Sequence, residues 1–250
     1  RRDLGLLEVL MIGIGPNIGS TIFILIGTAA GIAGPAIILA FVLNFVVTLF
    51  TAMAYAELSS AFPETGGGYL WIKEGLFPPF GFLGGWMSWV GHCIACSVYA
   101  LGFGEGVKIL MSMYDLQFLG LTIDQTGILA SVLVAVGFIY LNYRGVKGAG
   151  RSEIVVSVLL IAIIGIFVTA TAVFMITNPP EDSNFTPFIP FGYISIITSM
   201  GYTFMVFEGY EIVAQTGEEA KDPHRTIPRA MFLCIAISCI MFVAVATVAI

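Results

Sequence analysis

The sequence predicts an all-α protein that crosses a membrane several times, and three observations carry the prediction. Hydrophobic residues make up 58% of the chain and charged residues 10%, with a mean hydropathy of +0.98, which is outside the range of soluble domains. Apolar runs near the about 20 residues needed to cross the hydrocarbon occur at roughly 8–31, 36–61, 78–107, 125–143, 153–176, 193–217 and 229–250. If the N-terminus lies inside, Arg1, Arg2, Lys73, Arg144, Lys147, Arg151, Lys221, Arg225 and Arg229 all face the cytoplasm and Lys108 alone lies outside. That distribution obeys the positive-inside rule and sets the orientation. The net charge of −6 matters less than this placement.

The first span carries the stretch Met11 to Gly27, MIGIGPNIGSTIFILIG. Gly13, Gly15, Gly19 and Pro16 together weigh roughly 6 kcal/mol against a continuous helix. A break is expected there, with the helix resuming at Ile22. Unpaired backbone at membrane depth survives only inside the protein or along a watery cavity. The resuming half-helix aims its free N–H groups and positive dipole end into the gap, which suits a carboxylate or another anion. Broken helices of this kind form the binding sites of secondary transporters.

Spans two to five are unbroken in pattern. Glu57 near the inner end of span two is read as a cap or as a latch to a basic loop. In span three, His92 and Cys96 share a face, but the apolar surroundings offer neither further ligands nor second-shell acceptors, so no metal is expected. Cys93, Cys96, Cys234 and Cys239 lie in apolar runs and read as small buried hydrophobes. Glu105 and Lys108 at the outer end form an i,i+3 ion pair. Gly27 with Gly31, Gly81 with Gly85 and Gly102 with Gly106 read as close-packing contacts between helices.

The sixth span, GYISIITSMGYTFMVFEGYEIVAQTG, repeats the oddity of the first: Gly201, Gly209, Glu208 and Glu211 interrupt it. A carboxylate near the bilayer centre costs about 2.5–3.5 kcal/mol and is normally kept for a task, which makes Glu208 and Glu211 candidate proton carriers. The alternative is that both serve as hydrogen-bond partners for unwound backbone. Breaks five spans apart are the mark of two inverted halves meeting at the midplane. On this reading residues 1–176 are a first five-helix repeat and 193–250 the start of a second. The chain opens without Met and stops in an apolar run, so it is expected to be a piece of a longer protein, with no cleavable signal peptide.

Other chemistries are weakly represented. The glycines 13, 15 and 19 lack the spacing and the preceding strand of a dinucleotide loop. No nucleophile–base pair can be assembled from the spans, so no enzyme is expected. No cofactor and no nucleic-acid partner are expected either, since the basic residues follow topology.

Three stretches bear a resemblance to the amino acid/polyamine/organocation superfamily of transporters: GIGPNIGSTIF in span one; YAELSSAFPETGGGYLW from Tyr55 to Trp71, followed by GFLGGW; and FEGYEIVAQTGEEAKDPHRTIPRA from Phe207 to Ala230. The resemblance covers the whole chain. It implies two inverted five-helix repeats with substrate between the broken parts of spans one and six. Gly19, Ser20 and Thr21 would hold a substrate carboxylate, and carbonyls of Asn17, Met205, Val206 and Glu208 its ammonium. Residues near Gly209, including Phe207 and Tyr210, would form the gate and side-chain pocket. Thr21 replaces a common glycine, and Glu208 a common apolar residue. The span-five lysine that some members carry corresponds here to Leu160, so Glu208 or Glu211, or a sodium site, would supply the coupling.

The resulting expectation is a plasma-membrane, multi-pass secondary transporter of amino acids or related amines, proton-coupled and working by alternating access. Its partners are the small-molecule substrate, a proton or sodium, and the bilayer. An exchanger without ion coupling and a non-transporting amino acid sensor remain as alternatives.

Overall fold

A computed structural model describes all of the chain except residues 1–3, 63, 65, 117, 119, 145–148 and 179–183, and omits the side chains of 20, 21, 142, 144 and 149–153. The protein is an all-α, multi-pass membrane protein. Its helices are α1 (Leu6–Ile18), α2 (Ser20–Ala33), α3 (Ile37–Ala61), α4 (Gly67–Gly75), α5 (Pro78–Met113), α6 (Ile123–Arg144), α7 (Ala149–Thr177), α8 (Tyr193–Thr203), α9 (Tyr210–Gln215) and α10 (Pro223–Ala249). Short 3-10 turns occupy Gly34–Ala36 and Phe204–Phe207. Five described stretches are long and apolar enough to cross a membrane: Ile22–Ala61, Pro78–Met113, Ile123–Leu141, Ile154–Thr177 and Pro223–Ala249. The first holds 40 residues, about 60 Å of helix and twice the hydrocarbon thickness. It therefore contains parts of two spans, which meet at Gly34 with φ +60°. A Cβ at Gly34 would lie 2.7 Å from Pro190 Cγ, so this turn packs on the segment leading into α8.

The sixth segment is built of pieces, each too short to cross. The first segment departs from expectation. Helix α1 runs through Gly13, Gly15 and Pro16 to Ile18, and only Gly19 separates it from α2, which starts at Ser20 and not at Ile22. The glycines here serve packing more than unwinding. A Cβ at Gly13 would stand 2.5 Å from Val213 Cγ2 and 3.1 Å from Cys234 Sγ, so α1 lies directly on α9 and α10. That close contact offsets the low helix propensity of the segment.

The buried core gathers Ile14, Ile18, Ile22, Phe41, Phe207 and Phe242 with the inner face of α10. Helix α3 packs along α10, α1 against α7 and α10, and α5 against α4 and α6. In the last pairing Gly104 is buried, and a Cβ there would collide with Gly127 O. Lys108 seals that end, 3.0 Å from Glu105 and 3.2 Å from Asp124 of α6. The i,i+3 pair is as expected, and Asp124 extends it between helices. Of the glycine pairs read as packing contacts, Gly81 and Gly85 do pack, against Lys73 and Tyr69 of α4, whereas Gly27, Gly31 and Gly106 face open space. Cys93 and Cys96 are exposed on α5, contrary to the buried reading, while Cys234 is buried. The exposure follows from α5 packing only along parts of its length.

Candidate functional site

The two discontinuities meet. Asn17, in the last turn of α1, is 1% exposed, and its Oδ1 accepts a hydrogen bond from the Gly209 N–H. Its Nδ2 donates to Ser238 Oγ at 3.1 Å and to Cys234 Sγ at 3.3 Å, both on α10. One side-chain amide thus ties both breaks to α10 and satisfies a backbone donor that the break in the sixth segment would otherwise orphan. Gly209 must be glycine for this: a Cβ would lie 2.6 Å from Gly13 O and closer still to Asn17 Oδ1.

A second asparagine secures the other end of the break. Asn44 of α3, also 1% exposed, donates through Nδ2 to Met200 O at 3.0 Å and to Thr203 Oγ1 at 2.9 Å. Thr203 Oγ1 donates in turn to Ser199 O at 2.9 Å. Met200 O keeps its helical partner, the Phe204 N–H, and the Asn44 amide adds a second donor to it where the chain narrows to a 3-10 turn. Helix α1 receives similar support from α7, where Ser157 Oγ donates to Met11 O at 3.2 Å. The half-helices pair consistently, α1 with α9 and α2 with α8.

Below the break, on the side of the N-terminus, lies an aromatic and acidic cluster. Tyr55 of α3 stands edge-on to Trp71 of α4 at 5.1 Å and to Tyr210 at 5.5 Å. Its hydroxyl donates to Glu211 Oε1 at 3.4 Å. Glu208 is exposed, between the 3-10 turn and Gly209. His92 of α5 lies within electrostatic reach of both glutamates. The His92 Nδ1 donates to Ser88 O at 2.7 Å.

Under this cluster the chain is tied across its N-terminal face. The Leu4 N–H donates to Glu219 O at 3.0 Å, and the Lys221 N–H to Leu4 O at 2.8 Å. His224 Nδ1 donates to Ser60 O at 2.6 Å, joining the start of α10 to the end of α3. Asp222 at φ +47° and Pro223 at the first helical position start α10 there.

The expected site residues are placed as follows. Asn17, Gly19, Val206, Phe207, Glu208 and Gly209 gather around the two breaks, with Met205 partly buried in the 3-10 turn. The side chains of Ser20 and Thr21 lie outside the described residues; their backbone opens α2. Val206 and Phe207 are buried, and the Phe207 ring stands edge-on to Phe242 at 5.2 Å. A pocket role for Phe207 therefore requires it to leave Phe242. Asn44, Tyr55, Trp71, His92 and Ser238 were not singled out as site residues from sequence. A polar residue within an apolar span is the signal that could have found Asn44. Among the described residues no group of three His, Cys, Asp or Glu could hold a metal ion.

Comparison with known proteins places this geometry in context. The chain is 26% identical over 257 residues to the branched-chain amino acid permease BcaP of Bacillus subtilis, covering 99% of this chain and 54% of that one. It is 29% identical over 255 residues to the methylthioribose transporter of the same organism, covering 99% and 54%. To the human cationic amino acid transporter 4 it is 27% identical over 264 residues, covering 99% and 40%. The chain thus spans about half the length of the curated relatives it matches, and these are named as permeases and transporters, not enzymes. The family model described as amino acid permease matches residues 8–250, from the first turn of α1 to the last residue, and the chain belongs to that family.

Proposed function

We propose that the chain is the N-terminal part of a secondary active transporter that carries amino acids or related amines across the plasma membrane by alternating access, with its N-terminus inside. The observation that carries the reading is the junction of the two broken segments through Asn17 and Gly209. Residues 1–176 form the first five-helix repeat and 193–250 begin its inverted partner. The substrate carboxylate lies at Gly19, Ser20 and Thr21, where the N-terminus of α2 favours an anion. Carbonyls of Asn17, Met205, Val206 and Glu208 accept from the ammonium. The names of the family and of two of the relatives support an amino acid or amine as substrate.

Coupling is to protons, carried by Glu208 and Glu211. Both acids sit in a segment where an unneutralised carboxylate is costly, and Tyr55, Tyr210 and His92 are their titratable neighbours. The test is uptake of labelled amino acids by liposomes containing the full-length protein, with and without an inward proton gradient. Gradient-dependent accumulation is expected, and Glu208→Gln is expected to abolish it while leaving substrate exchange measurable. Full pH-driven accumulation in that variant removes Glu208 from the coupling role. Counterflow indifferent to the gradient in the unmodified protein means an uncoupled exchanger, and binding without flux means a sensor.

A further inference from the structure

Helix α4 lies against the first third of α5, and between them opens a groove of about 560 Å³ lined by Tyr69, Lys73, Phe82, Trp86 and Trp89. Its shape depends on two glycines. A Cβ at Gly81 would stand 3.0 Å from Lys73 Cα, and one at Gly85 would stand 2.8 Å from Tyr69 Cδ2. The close approach fixes Lys73 at the rim of the groove. The wall beyond is aromatic, with Phe82 stacked on Trp86 at 6.2 Å and Trp86 tilted against Trp89 at 5.2 Å. These rings are 68%, 51% and 60% exposed for Phe82, Trp86 and Trp89. Among the described residues Lys73 forms no ion pair.

The groove is therefore amphiphilic, with one cation at the membrane-surface end and an apolar, aromatic track leading inward. From Pro78 to Trp89 the track climbs about 16 Å along the helix, which covers a headgroup layer and the upper part of an acyl chain. Tryptophans at that depth match an interfacial aromatic belt. Charge complementarity selects the occupant, because a buried segment of protein would gain little from a lysine at the rim, whereas a phosphate would pair with it.

We propose that this groove binds an anionic phospholipid, with its headgroup phosphate at the Lys73 ammonium and one acyl chain over Phe82, Trp86 and Trp89. The proposal rests on the membrane-spanning fold and is independent of what the protein transports.

The experiment uses the full-length protein in phosphatidylcholine nanodiscs, into which brominated phosphatidylglycerol or brominated phosphatidylcholine is titrated while tryptophan fluorescence is read. The difference from a Trp86→Phe, Trp89→Phe variant isolates the groove signal. Brominated phosphatidylglycerol is expected to quench it at an about fivefold lower mole fraction than brominated phosphatidylcholine, the effect of one lysine near one anionic lipid. Lys73→Gln should equalise the two lipids, and Lys73→Arg should keep the preference. Equal quenching in the unmodified protein overturns the proposal. So does the absence of any groove signal, which would mean that the rings are covered by another part of the protein.

Discussion

The two discontinuous segments solve one problem by different means. The first breaks at a single residue, Gly19, with helix on both sides. The second narrows to a 3-10 turn over Phe204–Phe207 and resumes only at Tyr210. In the first, glycine supplies close approach, and α1 is pressed against α9 and α10. In the second, the Gly209 N–H is set free and Asn17 satisfies it, while Asn44 adds a second donor to Met200 O, which the Phe204 N–H already reaches. The first segment thus acts as a packed brace, while the second holds the exposed backbone and the two acids. If that division is right, substitutions should separate stability from transport differently in the two places.

The largest effect is expected at Gly209. Gly209→Val places a branched side chain on Gly13 O and Asn17 Oδ1, and overpacking of this kind costs about 1–3 kcal/mol even where the surroundings can move. Here the neighbour is backbone. Purified Gly209→Val should melt well below the unmodified protein and show no uptake. Gly201→Ala, in the same segment but facing open space, should leave the melting temperature unchanged, and equal damage at both positions would break the argument.

Asn17→Leu comes next. It removes an acceptor from the buried Gly209 N–H and a donor from Ser238 and Cys234, and an orphaned buried donor costs about 1–3 kcal/mol. Ser238→Ala removes only one partner and should cost about 0.6 kcal/mol, the average for such bonds between membrane helices. Denaturation of both variants in mild detergent gives the comparison. A Ser238→Ala cost equal to that of Asn17→Leu would mean that the link to α10, and not the link between the breaks, is what Asn17 provides.

Much of this arrangement was legible in the sequence. Hydropathy located the long helices but not α4, which falls between the second and third apolar runs, and the acids at 208 and 211 marked the second break because charge in an apolar span needs a reason. The first break was read too broadly. Propensity counts Gly13, Gly15 and Pro16 against a helix, but it carries no information on Val213 and Cys234, residues some two hundred positions away whose packing requires a glycine. The partners of Asn17 were hidden for the same reason, since a buried amide in one helix says nothing of which helix receives it. Tyr55 and Trp71 lay inside a recognised motif, yet only the packing of α3 on α9 brings Tyr55 to Glu211, and only the folding of α4 back onto α3 sets Trp71 against Tyr55.

A smaller effect is expected at Asn44. Asn44→Leu withdraws donors from Met200 O and Thr203 Oγ1, but Thr203 keeps its bond to Ser199 O, so the loss should be about 1 kcal/mol, toward the upper range for polar contacts in membranes. Uptake should fall more than stability does, because the affected carbonyl adjoins the irregular turn. Unchanged uptake would confine Asn44 to helix packing.

The smallest effect on stability, and the most informative, is expected at Gly19. Its φ of −41° lies on the side of backbone space that any residue adopts, and a Cβ would stand 3.3 Å from Gly15 O and 3.4 Å from Pro16 O, tight contacts that small shifts relieve. Gly19→Ala should therefore change stability by no more than about 0.5 kcal/mol, as an ordinary substitution does. The proposed carboxylate site, however, uses the space beside this residue and the N-terminus of α2. A methyl group there should raise KM for amino acid substrates while leaving the melting temperature in place. Steady-state uptake and a thermal melt on the same preparation separate the two: a parallel loss of both makes Gly19 a packing residue like Gly13, whereas a KM effect on a stable protein assigns the first break to substrate recognition.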